Sequence, residues 1–272
     1  YQAAQGWTPF ILDTNGNGKR DEFVAANDTP DPARDTQIFP GFGFYAVNPA
    51  PDGSIWGSIL GFPGAVARLV PGDDPATTAL TEYYELPVDE TGNPIAGFSP
   101  RGMDIDRDGV AWVALASGHM ASFDRRKCTG VLNGPTARGQ HCPEGWTLHP
   151  LPTPNMKNAE VSGSADFMYS SWVDQFNVFG LGANTPWVTG TASDSLMALD
   201  PETEEWFVMR VPYPMGFFTR SMGARVDNPY IGWKGRAIWA ANEVRNPWHI
   251  EGGAGMTPTA AKFQLRPNPL AH

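Results

Sequence analysis

The chain has 272 residues, 41% of them hydrophobic, a formal net charge of −10, and 30 Gly and 26 Pro. That length suffices for a sizeable core, the acidity argues against a nucleic-acid partner, whose phosphates need a basic face, and no run approaches the roughly 18 apolar residues of a membrane span. Ten Trp and fifteen Phe among so many turn residues point to short strands, where flat rings pack on a pleated surface.

In chain order, residues 1–13, YQAAQGWTPFILD, read as strand. ILD at 11–13 matches SFD at 122–124 and ALD at 198–200, and Tyr1 falls where those later segments carry a Trp. The expectation is that the sequence opens inside a repeat, so that residues 1–272 form a single domain that is the C-terminal portion of a longer chain.

DTNGNGKRDE follows at 13–22. Asp13, Asn15 and Asn17 take positions 1, 3 and 5 of a calcium loop, Gly18 the sharp turn at 6, the Lys19 carbonyl position 7 and Asp21 position 9, because a hard cation needs six or more oxygens on a tightly wound loop. Position 12 is Val24 instead of a bidentate Glu, and Glu22 is the nearest substitute. The competing reading is a polar Asn-Gly turn; structural Ca²⁺ is the expectation here. Residues 24–37, VAANDTPDPARDTQ, read as a long loop.

Then a pattern recurs: a β-like run, a turn, a strand carrying Trp, a small-residue break, a strand ending in an apolar residue, and a further β-like run. It appears as FGFYAV, DGSIWGSILGFPGAVARLVPG and TEYYELPV; as RGMDID, DGVAWVALASGHMASFDRR and WTLHPLP; and as ADFMYSSW, NTPWVTGTASDSLMALDPET and EWFVMRVP. A fourth copy, KGRAIWAANEV, reaches its partner AAKFQLRP only after an insertion. Trp56 to Leu69, Trp112 to Phe123 and Trp187 to Leu199 are 13, 11 and 12 positions. Four-stranded antiparallel meanders repeated in this way are blades of an all-β propeller. About four and a half blades are visible, part of a six- or seven-bladed ring; the alternative is a closed five-bladed ring that KFQLRP completes.

The two cysteines, Cys128 and Cys142, bracket a loop rich in Gly, Pro and Asn. They read as a disulfide staple, with two free thiols as the alternative, and a disulfide implies a periplasmic or secreted protein. His141 beside Cys142 leaves a zinc set short.

In a propeller the innermost strands line a central channel. Candidates there are Tyr45, Arg101, Asp104, Tyr169, Trp172, Asp174 and Arg220. Arg101 and Arg220 sit in comparable places near one mouth, and two guanidinium groups suit a carboxylate or phosphate; an ion pair with a nearby Asp is the plainer alternative for each. His249 and Glu251, in HIEGG, project to one face of an extended segment and could share a proton or a metal. His119, in the turn SGHM, is expected to be exposed. No HExxH, G-x-S-x-G, Walker or dinucleotide motif is present.

DGSIWGSILGFPGAVARLVPG and DGVAWVALASGHMASFD resemble the blades of the streptogramin B lyase-like propellers, and are similar to the NHL and gluconolactonase-type groups, across residues 44–265. The resemblance implies a propeller. For activity it implies either a lyase that opens a cyclic ester with His, Glu and a divalent metal, or a lactonase holding a divalent metal in the channel; His249 and Glu251 are the nearest positions for such a second metal. The acidic loop and the Cys128–Cys142 loop depart from the plain lyase pattern. The favoured expectation is therefore an extracytoplasmic module binding a small molecule or protein at the channel mouth, the missing N-terminal part being one such partner, with metal-assisted lyase or lactone hydrolase as the alternative.

Overall fold

The computed structural model describes residues 5–39, 43–155, 157, 163–212, 217–226, 236–242 and 259–265. Eighteen strands among them form five sheets. Sheet one holds β1 (Phe10–Leu12), β2 (Phe23–Val24) and β3 (Asp35–Ile38). Sheet two runs β4 (Ala46–Pro49), β5 (Ile55–Ile59), β6 (Ala65–Val70) and β7 (Leu80–Glu85). Sheet three is β8 (Pro100–Ile105), β9 (Ala111–Leu115), β10 (His119–Phe123) and β11 (Trp146–Pro150). Sheet four comprises β12 (Ser171–Asp174), β13 (Thr185–Gly190), β14 (Ser195–Leu199) and β15 (Trp206–Arg210). Sheet five contains β16 (Thr219–Val226), β17 (Arg236–Asn242) and β18 (Thr259–Phe263).

Sheets two, three and four are antiparallel meanders whose strand order is their chain order. The turn entering each Trp strand explains part of the repeat. Three residues before Trp56, Trp112 and Trp187 stand Gly53, Gly109 and Asn184, with φ of 82°, 82° and 61°. Only Gly, and Asn among residues with a side chain, adopts that left-handed backbone readily.

The tryptophans hold successive sheets together. Trp56, with Val66 and Tyr84 of its own sheet, packs on Met103, Ile105, Val113 and Phe123 of sheet three. Trp112 of sheet three meets Met168, Val173, Val188 and Met197 of the next unit. Trp187 of sheet four meets Phe217, Ile238 and Ala240 of the one after. Burying one indole removes on the order of 200 Å² from water, about 5 kcal/mol before ordering costs. Trp239, the equivalent residue of sheet five, remains 39% exposed, whereas Trp56, Trp112 and Trp187 are 3%, 5% and 0% exposed. The first strands of the units also neighbour one another: β4 lies against β8, β8 against β12 and β12 against β16. This is the blade arrangement of a propeller.

Two details of the sequence reading change. Residues 24–37 are not one loop: Val24 belongs to β2, and β3 begins at Asp35. The Pro- and Asp-rich middle hid Thr36 and Ile38, whose β-branched side chains favour a strand. β1 pairs antiparallel with β3, as β14 pairs with β15, so the acidic loop interrupts the step between the last two strands of a blade, and β2 adds a parallel edge. His119 is 7% exposed, not a surface turn residue. Its ring lies against Gly163, where an added Cβ would come 2.7 Å from Nε2.

Cys128 and Cys142 are joined, with Cα atoms 5.1 Å apart. Their loop reaches across sheet two: the N–H of Glu85 donates to the carbonyl of Gly139, and the Gln140 amide donates to the Leu86 carbonyl. An interblade ion cluster lies nearby. Glu82, 8% exposed, accepts from Arg68 at 3.0 Å in its own sheet and from Arg125 of sheet three at 2.6 Å on both oxygens. The Tyr84 hydroxyl donates to it as well.

Candidate functional site

The structure brings Arg101, Tyr169 and Arg220 together, one from each of three adjacent units. Arg101 is on β8, Tyr169 stands two residues before β12, and Arg220 is on β16. The Arg101 guanidinium lies over the Tyr169 ring at 4.2 Å from its centroid, and that of Arg220 at 4.5 Å. Arg101 also covers Phe167 at 5.6 Å and Arg220 covers Phe218 at 5.9 Å. The three rings meet edge to face, with the Tyr169 centroid 5.8 Å from that of Phe167 and 5.5 Å from that of Phe218. Cation–π attraction holds a guanidinium over a ring face, each contact worth about 0.5–2 kcal/mol depending on desolvation.

Gly102 sets this geometry. Its N–H donates to the Tyr169 carbonyl at 2.8 Å. A Cβ there would lie 2.5 Å from that oxygen and 2.7 Å from the Ser170 Cα. Only the absence of a side chain lets β8 approach the Tyr169 segment so closely. The Ser58 hydroxyl donates to the Arg101 carbonyl, fixing β8 from the other side.

Arg101 makes no ion pair among the described residues, and its Nε and Nη1, both buried, make no hydrogen bond. Among the described residues, no carboxylate gives Arg101 the ion pair that was the plainer sequence alternative. These N–H groups are donors with no acceptor among the described residues.

The other candidates serve elsewhere. Asp104 is partly buried on β8, accepting from its own neighbour Ile105 and from the Val173 N–H of β12, each at 2.8 Å. Burial raises its carboxyl, the charge of Asp106 adds to this, and the two N–H donors oppose it. Trp172 pairs with Trp187 across β12 and β13 and packs in the core between sheets four and five. Asp174 is buried and caps the following turn, accepting from Val178 and Phe179 at 2.7 Å. Tyr45 is 43% exposed beside β5, its N–H bonded to the Ser58 carbonyl. His249 and Glu251 lie outside the described residues. Phe167 and Phe218 were missed by sequence reasoning; each stands two positions from a candidate, the strand spacing that puts side chains on one face.

In the acidic loop, Asp13 is buried and its carboxylate accepts three N–H groups, from Gly16, Asn17 and Gly18. Asn15 and Asn17 both direct amides at Oδ2 of Asp21, at 3.1 and 2.5 Å. These contacts hold the Asp21 carboxyl below its ordinary range. Lys19 donates its N–H to Asn17 and, like Glu22, has an exposed side chain. Among the described residues, no group of three or more His, Cys, Asp or Glu side chains is placed to hold a metal ion by itself.

No family model and no curated protein matches the sequence. Solved structures are similar to it. The streptogramin B lyase structure shares 12% identity, with 96% of this chain and 73% of that one covered, at a TM-score of 0.46. A protein of unknown function from Bacteroides caccae shares 14% identity over 91% and 79%, at 0.45. YCF48 bound to D1 peptide shares 14% over 72% of this chain and 47% of that one, at 0.40. The likeness is one of fold alone.

Proposed function

We propose that this propeller is a binding module for a ligand bearing a carboxylate or phosphate group, held where Arg101, Tyr169 and Arg220 meet. One observation carries this reading: two guanidinium groups lie over one tyrosine ring, and the buried Nε and Nη1 of Arg101 have no hydrogen-bond acceptor among the described residues. A planar guanidinium suits bidentate contact with such anions. In a chain of net charge −10 this positive spot favours a small anion over a polyanion. The converging groups are fixed cations and aromatic rings, which hold charge rather than move protons; this supports binding over lyase or lactonase chemistry. The disulfide supports an oxidising compartment, the periplasm or the cell exterior. We read the 13–22 loop as a structural calcium site.

The test is NMR observation of arginine Nε–H signals while inorganic phosphate or benzoate is added. The Arg101 and Arg220 signals are expected to move saturably, with Arg101→Ala abolishing the response at Arg220 and Arg101→Lys weakening it. A signal indifferent to both anions at millimolar concentration overturns the reading.

A further inference from the structure

The calcium reading of residues 13–22 lacks one thing: an acidic ligand at position 12, which is Val24. We infer that Asp35, distant in sequence and outside the loop motif, is that ligand. The inference rests on the calcium reading and names the residue that completes it.

The topology delivers Asp35 to the loop. β3 lies between β1 and β2, and the loop joins those two strands across its end. Asp35 is the first residue of β3. It lies opposite Phe23 in the parallel pairing with β2, and one step beyond the Leu12–Thr36 pair with β1, which brings it level with Asp13. Asp35 Oδ2 accepts the N–H of Asp21 at 2.8 Å, and its own N–H donates to the Glu22 carbonyl. Its side chain therefore faces the loop from beneath.

Asp35 is the independent observation. It is 0% exposed, and its Oδ1 makes no hydrogen bond. Burying a carboxylate oxygen without a partner is strongly unfavourable unless a cation or proton meets it. The charges of Asp13 and Asp21 both bear on Asp35. The three carboxylates are not gathered closely enough to hold a metal by themselves, so a divalent cation that offsets their charges must draw them together with the amide and carbonyl oxygens of the loop. Glu22, the substitute suggested by the loop alone, is exposed.

The remaining oxygens are at hand. Asn15 and Asn17 turn their amides toward Asp21, while Asn15 Oδ1 accepts the N–H of Asn17 and Asn17 Oδ1 that of Lys19; binding requires both amides to leave Asp21 so that these oxygens also face the ion. With Asp13, the Lys19 carbonyl, Asp21 and Asp35, they supply the six oxygens that Ca²⁺ requires as a minimum. Mg²⁺ is less suited, because it demands a near-ideal octahedron and keeps its water.

The experiment is calorimetric titration of the chelator-treated, full-length chain with CaCl₂, on wild type, Asp35→Asn, Glu22→Gln and, as a charge control, Asp28→Asn. The expected result is one site in wild type, at least a tenfold loss of affinity in Asp35→Asn, and no change in Asp28→Asn. Asp35→Asn should fold, and without calcium should melt no lower than wild type, since it removes a buried charge between two others. The carbonyl carbon NMR signal of the Asp35 side chain should shift on adding calcium. Wild-type affinity in Asp35→Asn, or loss confined to Glu22→Gln, overturns the inference and leaves the calcium loop standing. Absence of calcium binding to wild type overturns both.

Discussion

The N–H of Gly134 donates to the carbonyl oxygen of Asp13 at 2.7 Å. This contact joins the disulfide loop of sheet three to the acidic loop of sheet one, passing over the edge of sheet two. Gly16 packs beside it: a Cβ there would sit 3.5 Å from the Gly134 Cα. Cross-linking residues 128 and 142 therefore steadies a loop more than a hundred positions upstream. Replacing both cysteines with serine should cost about 3 kcal/mol, the chain-entropy value for a loop of about 15 residues. Amide exchange at Gly16, Asn17 and Gly18 should quicken at the same time. Unchanged exchange there would show that the two loops are independent.

Glu82 is the hub between sheets two and three, receiving Arg68, Arg125 and Tyr84. Glu82→Ala leaves two cations facing each other with their shared acceptor gone, and should cost about 3 kcal/mol. Arg125→Ala should cost less, because its side chain is one-third exposed and solvent screens it. Urea denaturation of both variants checks the order; a larger loss for Arg125→Ala would contradict it.

Burial holds His119 and His149 below the ordinary imidazole value of about 6.5, against a Ser117 hydrogen bond for the first and the Glu204 charge for the second. In the unfolded chain both take up protons below that value, while in the fold they resist doing so. Stability should therefore be full above about pH 7.5 and fall as pH drops through 6.5 toward the lower folded values. Melting temperatures between about pH 7.5 and 5.5 measure this, and a His119→Asn, His149→Asn double variant should flatten the slope. A slope unchanged in that variant would place the effect elsewhere.

Gly102→Ala should separate the binding site from the fold at large. The added methyl meets the Tyr169 carbonyl and Ser170 backbone, atoms that cannot swing aside as a side-chain tip could. A cost of about 1–3 kcal/mol is expected, together with loss of the anion response at Arg101 while the melt stays cooperative. An intact anion response would mean that Tyr169 is not positioned through this contact.

The tryptophans should differ sharply. Trp187→Ala should cost about 3–5 kcal/mol, whereas Trp239→Ala, at a position 39% exposed, should cost far less. Denaturant midpoints for the two settle the comparison; equal losses would mean that the Trp239 face is covered in solution.

The blades were legible because their grammar is local. A left-handed turn three residues before Trp and alternating side chains along each strand leave marks within about 20 residues. Arg101, Tyr169 and Arg220 were legible for the related reason that equivalent positions in successive blades come together. The place of Asp35 against the acidic loop was not, since it depends on β3 entering between β1 and β2, a crossing that composition cannot show. Phe167 and Phe218 were hidden by their ordinariness, as aromatic residues in aromatic-rich strands. His119 misled because a turn motif gives no notice of Gly163 arriving from 44 positions downstream.

Each indole of the series Trp56, Trp112 and Trp187 is sealed by the sheet that comes after it in the chain. Cohesion is thus handed from neighbour to neighbour with a direction, as links are in a chain of couplings. A lesion in one blade should loosen the indole of the blade before it. Single-tryptophan variants would then read out unfolding as an ordered sequence of fluorescence changes, each probe reporting on its successor rather than on itself.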